Sequence, residues 1–430
     1  MRCHIILGTA VILLNLSHPI KAQDLTEVAK DYLPKLRTHL TEQIAPFWLQ
    51  KSLDRENGGY ELHHDIEGNL KPGGTKMIVT QSRTMWLFAR MARAGFDPVK
   101  NISAAERGLQ FLKEKMWDDE HGGFFWEVDR TGNEVIKPNK HLYGQSFALY
   151  GLCELYLASH RQEALDLALE LFELLEKQAH DSENGGYHES FKPDWTASDA
   201  NENSYMGVPS SYKLMNTHLH LLESITCLYR AAPTTTIRER LLELITIQSN
   251  TVVRQDLGAC TDKYTSNWAP ILSNGYDRVS YGHDLENIWL LMDARNALEL
   301  PQAPFENLYK TLFAYSMRYG YDSRNGGFYD SGEFNHLADR KDKVWWVQSE
   351  AIVAALYLYR LTGTEEYRKV FEQSYRWIET KQLDSQHGEW FSSIRPDGMP
   401  SGPKASMWKA GYHNGRALIE CIEILKKHSH

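Results

Sequence analysis

What the chain lacks narrows its function before any motif is read. Its five cysteines among 430 residues form no Cys-x-x-Cys pair and no Cys/His cluster at metal-ligand spacing, which excludes a zinc module and a disulfide-built scaffold. Three of them (Cys153, Cys227 and Cys421) fall in apolar helical segments, where a thiol packs as a small hydrophobe. Positive charge is in deficit, 47 Lys and Arg against 56 Asp and Glu, whereas a nucleic-acid partner calls for the opposite sign. The apolar run Ile5–Leu16 is too short to span a bilayer. With Arg2 ahead of it and Ala22 behind, residues 1–22 read as a cleavable export leader, and Cys3 lies too early for a lipid anchor. That reading implies a periplasmic or secreted protein, and a cytoplasmic one if the segment is no leader. Residues 23–430 are expected to form a single domain, acting as a monomer.

What is present in excess is aromatic. Twelve Trp and 22 Tyr are a heavy load; most are expected to fill core, and rings left over from core packing can stack on sugars. Several of the aromatics close a repeated turn. Asp54-RENGGY, Asp118-DEHGGF, Asp181-SENGGY and Asp322-SRNGGF share an Asp, three residues, Gly-Gly and an aromatic, and Asp384-SQHGEW is a fifth copy with Glu389 for the second glycine. The steps between these Asp residues are 64, 63, 141 and 62, so one copy is degraded, with Asp256-LGACTDKY the candidate. Gly-Gly admits positive φ after a helix ends, and the aromatic starts a short extended arm, so each copy predicts a small hairpin.

Amphipathic segments such as Ala104–Trp117 and Arg161–Gln178 precede the hairpins. Segments apolar on nearly every face follow them: Met77–Ala94, His141–Ala158, Met215–Tyr229, His283–Leu298, Trp345–Leu361 and Met407–Leu425. A helix apolar all round is buried all round. Six such helices are buried together by a closed ring, which predicts an all-α (α/α)6 toroid of twelve helices with hairpins in its loops.

Each inner segment carries polar residues only in its first two turns: Gln81 and Arg83; Tyr143 and Gln145; Asn216, His220 and Glu223; His283 and Glu286; Trp346, Gln348 and Glu350; Trp408, His413, Asn414 and Arg416. Six polar starts in register converge on one end of the ring axis, which is a pocket. His218 falls on the other face of its helix from His220, so it reads as structural and the pair offers no metal clamp. A histidine in the first turn of a helix stays neutral and can accept a proton. Two of them across a pocket can take a proton from one face of a carbon and return it to the other. His283 and His413 are the candidates, with Arg83 to stabilise an oxyanion, Glu286 to orient His283, and Trp117, Trp346 and Trp408 as sugar platforms.

MNTHLHLLE (215–223), YGHDLENIWLL (281–291), KVWWVQSEA (343–351) and WKAGYHNGRA (408–417) resemble the signature segments of the N-acylglucosamine 2-epimerase superfamily, most closely its cellobiose and mannobiose 2-epimerase branch. The resemblance implies C2 epimerisation of the reducing-end sugar of a β-1,4-linked disaccharide, with no cofactor. It implies acid/base roles for His283 and His413. Arg83, Asn216 and His220 would hold the enediolate oxygens and assist ring opening. Glu286 and Glu350 would support the histidines and sugar hydroxyls, Trp346 and Trp408 would stack, and Tyr143 would join the binding wall. The sequence departs from the pattern at Ala410-Gly411, where another residue followed by Pro is expected. Rival readings are an aldose–ketose isomerase on mannose-type sugars and a glycosidase using Asp284, Glu286 or Glu350.

Overall fold

A computed structural model describes residues 25–428; the leader expected at residues 1–22 lies outside them. Among the described residues twelve helices alternate between an outer and an inner layer, the (α/α)6 barrel that the segment pattern predicts. The outer helices are α1 (Thr26–Thr38), α3 (Pro98–Phe111), α5 (Gln162–Gln178), α7 (Thr235–Thr246), α9 (Ala303–Gly320) and α11 (Glu365–Trp377). The inner ones are α2 (Ile78–Arg93), α4 (Leu142–Ser159), α6 (Met215–Ala231), α8 (Tyr281–Ala297), α10 (Trp345–Thr362) and α12 (Tyr412–Lys426). Each inner helix packs on the next, and α12 returns to α2 and to α1, closing the ring. Four outer helices run on into a wide π turn (His39–Ile44, Leu112–Met116, Ile247–Thr251, Ile378–Gln382), whose looser hydrogen bonding unwinds the helix. After α1 the chain continues as Ala45–Lys51. No described helix is long and apolar enough to cross a membrane, and Cys153, Cys227, Cys260 and Cys421 are free and buried.

The hairpin motif is a lock as well as a turn. In each of the five intact copies the Asp Oδ1 accepts two backbone N–H groups of its own turn, as Asp322 does from Arg324 (3.1 Å) and Asn325 (3.2 Å). The other oxygen binds a buried lysine lying ahead of the inner helix: Lys76, Lys140, Lys213, Lys343 and Lys404, at 2.7–2.9 Å. Each ammonium also lies over an aromatic ring, Phe111 or Trp377 for example. The degraded copy is where the repeat spacing puts it, but two residues earlier in register. Gly258 N–H bonds the Arg254 carbonyl, as Gly326 N–H bonds that of Asp322, so Arg254 holds the Asp position. Asp256 is instead an exposed partner of Arg254.

The extended arms close on themselves as the expected hairpins, Glu127–Val128 with Val135–Lys137 and Ser393–Ile394 with Pro400–Ser401, but they do not stand alone. Each pairs with the strap of the neighbouring unit, Lys76–Met77 with Glu127–Val128 and Lys343–Val344 with Ser393–Ile394, and His64 with Ala405 completes the circuit. The glutamines expected in the pocket serve this layer too. Gln81, Gln145 and Gln348 each bond both the N–H and the C=O of the hairpin aromatic, at 2.6–2.9 Å. His218 takes the same place in α6, accepting the Tyr187 N–H at Nε2 (3.0 Å).

Burial alone would raise the Asp322 carboxyl, but Lys343 and Asn325 hold it well below the usual range. The stability it adds is therefore present above about pH 4 and lost on acidification. Lys343→Met leaves this carboxylate buried and unpaired and is expected to cost about 3–5 kcal/mol. Urea unfolding across pH 3–7 checks this, since the deficit should shrink as pH falls.

Candidate active site

The first turns of the inner helices surround a cavity of about 220 Å3. Its wall contains Arg83, Tyr143, Asn216, His220, His283, Glu286, Trp346, Trp408 and His413, nine residues from all six inner helices and one loop that the sequence nominates. Glu350 lies just behind the wall: its Oε1 is 2.7 Å from His413 Nδ1. Trp117 does not reach the cavity. It pairs with Phe124 across the Asp118 hairpin, with ring centroids 5.0 Å apart, because the outer helix has already ended when the chain reaches it. Trp408 is on the rim but not on a helix. Its N–H and that of Lys409 bond Ser406 Oγ in a turn, and α12 starts only at Tyr412. Its ring is 43% exposed.

Two of the three histidines are half of a carboxylate–imidazole pair. His220 Nδ1 is 2.7 Å from Glu223 Oε1, and His413 Nδ1 is 2.7 Å from Glu350 Oε1. An ionised partner fixes the proton on Nδ1 and leaves the Nε2 lone pair for chemistry. Burial pushes the Glu350 carboxyl up to about 8 against the pull of Arg416. One proton shared along that bond therefore lets His413 act as acceptor or donor at its far nitrogen. His283 has a different setting, in the first turn of α8 and against Trp346 (centroids 4.8 Å). Trp346 also meets His413 (5.8 Å), so one indole contacts both candidate imidazoles. Gly282 makes room for it: a Cβ there would sit 2.3 Å from the Trp346 ring.

Below the cavity Arg416 gathers three buried carboxylates, bonding Glu223 (2.5 Å), Glu350 (2.9 Å) and Glu286. Tyr412 also donates to Glu223 (2.6 Å), and Trp289 to Glu350 (2.8 Å). Among the described residues Glu286 Oε2 and Asn216 Oδ1 have no hydrogen-bond partner, so both are free to receive ligand hydroxyls. Arg83 is a second buried arginine at the cavity. It bonds Tyr143 Oη (3.0 Å) and the Trp408 carbonyl (3.2 Å), with no ion pair among the described residues, so its charge faces the cavity unneutralised. Glu286, Glu350 and His413 bring ligand atoms within 4.8 Å, but the guanidinium already bonded to both carboxylates opposes a metal cation there. Asp284, a glycosidase candidate, turns away and accepts the Cys260 N–H (3.1 Å).

Arg416 and Glu223 stood in the polar-start pattern without a role. Trp345 and Met206 on the wall were missed altogether. Met206 comes from the segment between Ser190–Phe191 and Lys213–Leu214, whose Tyr205 packs on Trp126 (5.2 Å) at the rim. The one available signal for it was the long step, 77 residues, between Tyr143 and His220.

The N-acylglucosamine 2-epimerase family model matches residues 58–417, which holds every wall residue described above. The chain belongs to this family. It is similar to the cellobiose 2-epimerase of Dictyoglomus turgidum, 31% identical over 395 residues covering 90% of this chain and 97% of the relative. The structure of the Bacillus thermoamylovorans cellobiose 2-epimerase superposes with a TM-score of 0.85 at 30% identity, over 92% of this chain and 99% of that one. A D-mannose isomerase of Marinomonas mediterranea is more distant, 23% identical over 91% of this chain and 96% of its own. The protein is accordingly an enzyme of the epimerase and isomerase class.

Burial lowers all three imidazoles below the ordinary histidine value of 6.5, with Arg83 and Arg416 adding to the effect at His413. A lowered value keeps the base form present at more acid pH. Turnover is expected to persist below pH 6.5, and an acid limb at or above that value in the kcat–pH profile would refute the assignment. Gly282→Ala should displace Trp346 and raise KM about tenfold at retained fold, read by steady-state kinetics and circular dichroism.

Proposed function

We propose that this epimerase family member inverts C2 of the reducing-end sugar of a β-1,4-linked disaccharide, cellobiose or mannobiose, through a cis-enediolate. The observation that carries the reading is that His283 and His413 line one cavity and both contact Trp346. His220, oriented by Glu223, assists opening of the sugar ring. One of His283 and His413 then removes the C2 proton as electrons move onto the C1 oxygen, where Arg83 and Asn216 meet the developing charge. Rotation about C2–C3 presents the opposite face, the other imidazole returns a proton to C2, and the ring closes. Glu350 holds His413 in register, Glu286 accepts a sugar hydroxyl, and Trp346 stacks on the reacting unit. Tyr143 closes the wall, and Trp408 at the rim receives the second sugar. No cofactor takes part. With the leader expected at the N-terminus, the reaction runs outside the cytoplasm.

An aldose–ketose isomerase shares the enediolate and differs in returning the proton to C1; the mannose isomerase relative favours keeping it as the second reading. Incubation of cellobiose, mannobiose and mannose in deuterated water, followed by NMR, separates the two. Deuterium at C2 of an epimerised disaccharide is expected. A ketose labelled at C1 supports the isomerase instead, and liberated monosaccharide from the disaccharides contradicts both. His283→Ala and His413→Ala are each expected to lower turnover at least 10³-fold while preserving the fold.

A further inference from the structure

Glu389 breaks the hairpin rule, and the structure shows what it gains. In four hairpins the corresponding residue is glycine, with φ between +62° and +81°. At Gly59 and Gly327 a Cβ would lie 2.6 Å from the oxygen of the clamping glutamine. Glu389 accepts the same strained backbone, φ +63°, as a residue with a side chain. From α12 this hairpin is met by the shorter Asn414, so the reach is reversed and the hairpin extends to the helix. The Glu389 carboxylate is fully buried and takes three donors: Asn414 Nδ2 (2.7 Å), Lys409 Nζ (2.8 Å) and, from the Ala45–Lys51 segment that follows α1, Trp48 Nε1 (2.7 Å).

These partners surround His413. Asn414 follows it in the chain. Lys409 lies over Trp345 (5.7 Å), a wall residue whose ring is 6.3 Å from that of His413. Trp48 fits against the start of α12 because residue 411 is glycine: a Cβ there would be 2.4 Å from Trp48 Nε1. The departure at Ala410-Gly411 is therefore the complement of Trp48, at a negative φ that any residue could adopt.

We propose that Glu389 is a positioning residue for His413, joining the Ala45–Lys51 segment, the last hairpin and the first turn of α12 into one clamp that sets the imidazole against Glu350. The consequence for turnover rests on the epimerase reading; the clamp itself does not. Glu389→Gln keeps the length and removes the charge. It is expected to lower kcat about tenfold with KM within twofold. In the 1H NMR spectrum the Nδ1 proton of His413, assigned by its loss in His413→Gln, should shift while that of His220 stays in place. Adding Lys409→Gln removes the orphaned ammonium and is expected to recover most of kcat and the original resonance. A folded Glu389→Gln protein with wild-type kcat overturns the proposal. So does a loss of kcat with the His413 proton unmoved, or one that follows the folded fraction, because Glu389 then serves stability alone. Should Glu389→Gln fail to fold, Asn414→Ala, which cuts only the link to α12, decides on the same two readings. The resonance needs no substrate, so a wild-type protein inert toward every disaccharide would count against the function and not against the clamp.

Discussion

One guanidinium shared by three buried carboxylates is the contact on which the site depends. Arg416 reaches Glu223, Glu286 and Glu350 from three other inner helices, and two of those carboxylates hold the imidazoles of His220 and His413. Charges this deeply buried are costly to desolvate, and such a group adds little net stability compared with a hydrocarbon core. What it supplies is direction. The bonds at 2.7 Å turn Nδ1 of each histidine inward, which leaves Nε2 toward the cavity. Because one cation faces three acids, the cluster also lacks the charge to keep every carboxyl ionised: burial raises both Glu223 and Glu350, the latter to about 8. A proton held between Glu350 and His413 is what a group acting as acid in one direction and base in the other requires.

The ring exists to bring that cluster together. Helices apolar on all sides pack against each other around the axis, and their starts are levelled by the hairpin layer above. Each of the five intact hairpins is fixed three ways: Asp on its own turn, Lys from the strap, and an amide or imidazole from the inner helix. Since each strap pairs with the next unit's arm, a displacement at one hairpin is passed to its neighbour. Arg83 completes the polarity of the cavity as the cation with no acid attached, opposite in role to Arg416 although both are buried arginines in first turns.

Most of this frame was legible in the chain. The Asp-x-x-x-Gly-Gly-aromatic spacing predicts the repeat, the apolar segments predict which helices lie inside, and the register of polar starts predicts nine of the eleven nominated site residues on the wall, with Glu350 directly behind it. The failures have physical reasons. Gln81, Gln145 and Gln348 share the first turn with true wall residues, and periodicity cannot tell a side chain aimed at the axis from one aimed at a hairpin a few degrees away. Trp117 lies just past the end of its outer helix, where the 3.6-residue period no longer says which way a ring points. Asp256 drew attention because it is acidic, but the degraded turn is identified by backbone bonding at Gly258, which leaves no mark in the side chains. Arg416 stayed without a role because its three partners lie 66 to 193 residues away in the chain.

The central claim is that His283 and His413 act on opposite faces of the same carbon. Its most direct test follows C2–H exchange in deuterated water for each single variant, His283→Gln and His413→Gln, starting from each of the two C2 epimers. Complementary behaviour is expected, with each variant exchanging the C2 proton of one epimer and leaving the other untouched. Exchange of the same epimer by both variants would contradict a two-sided site.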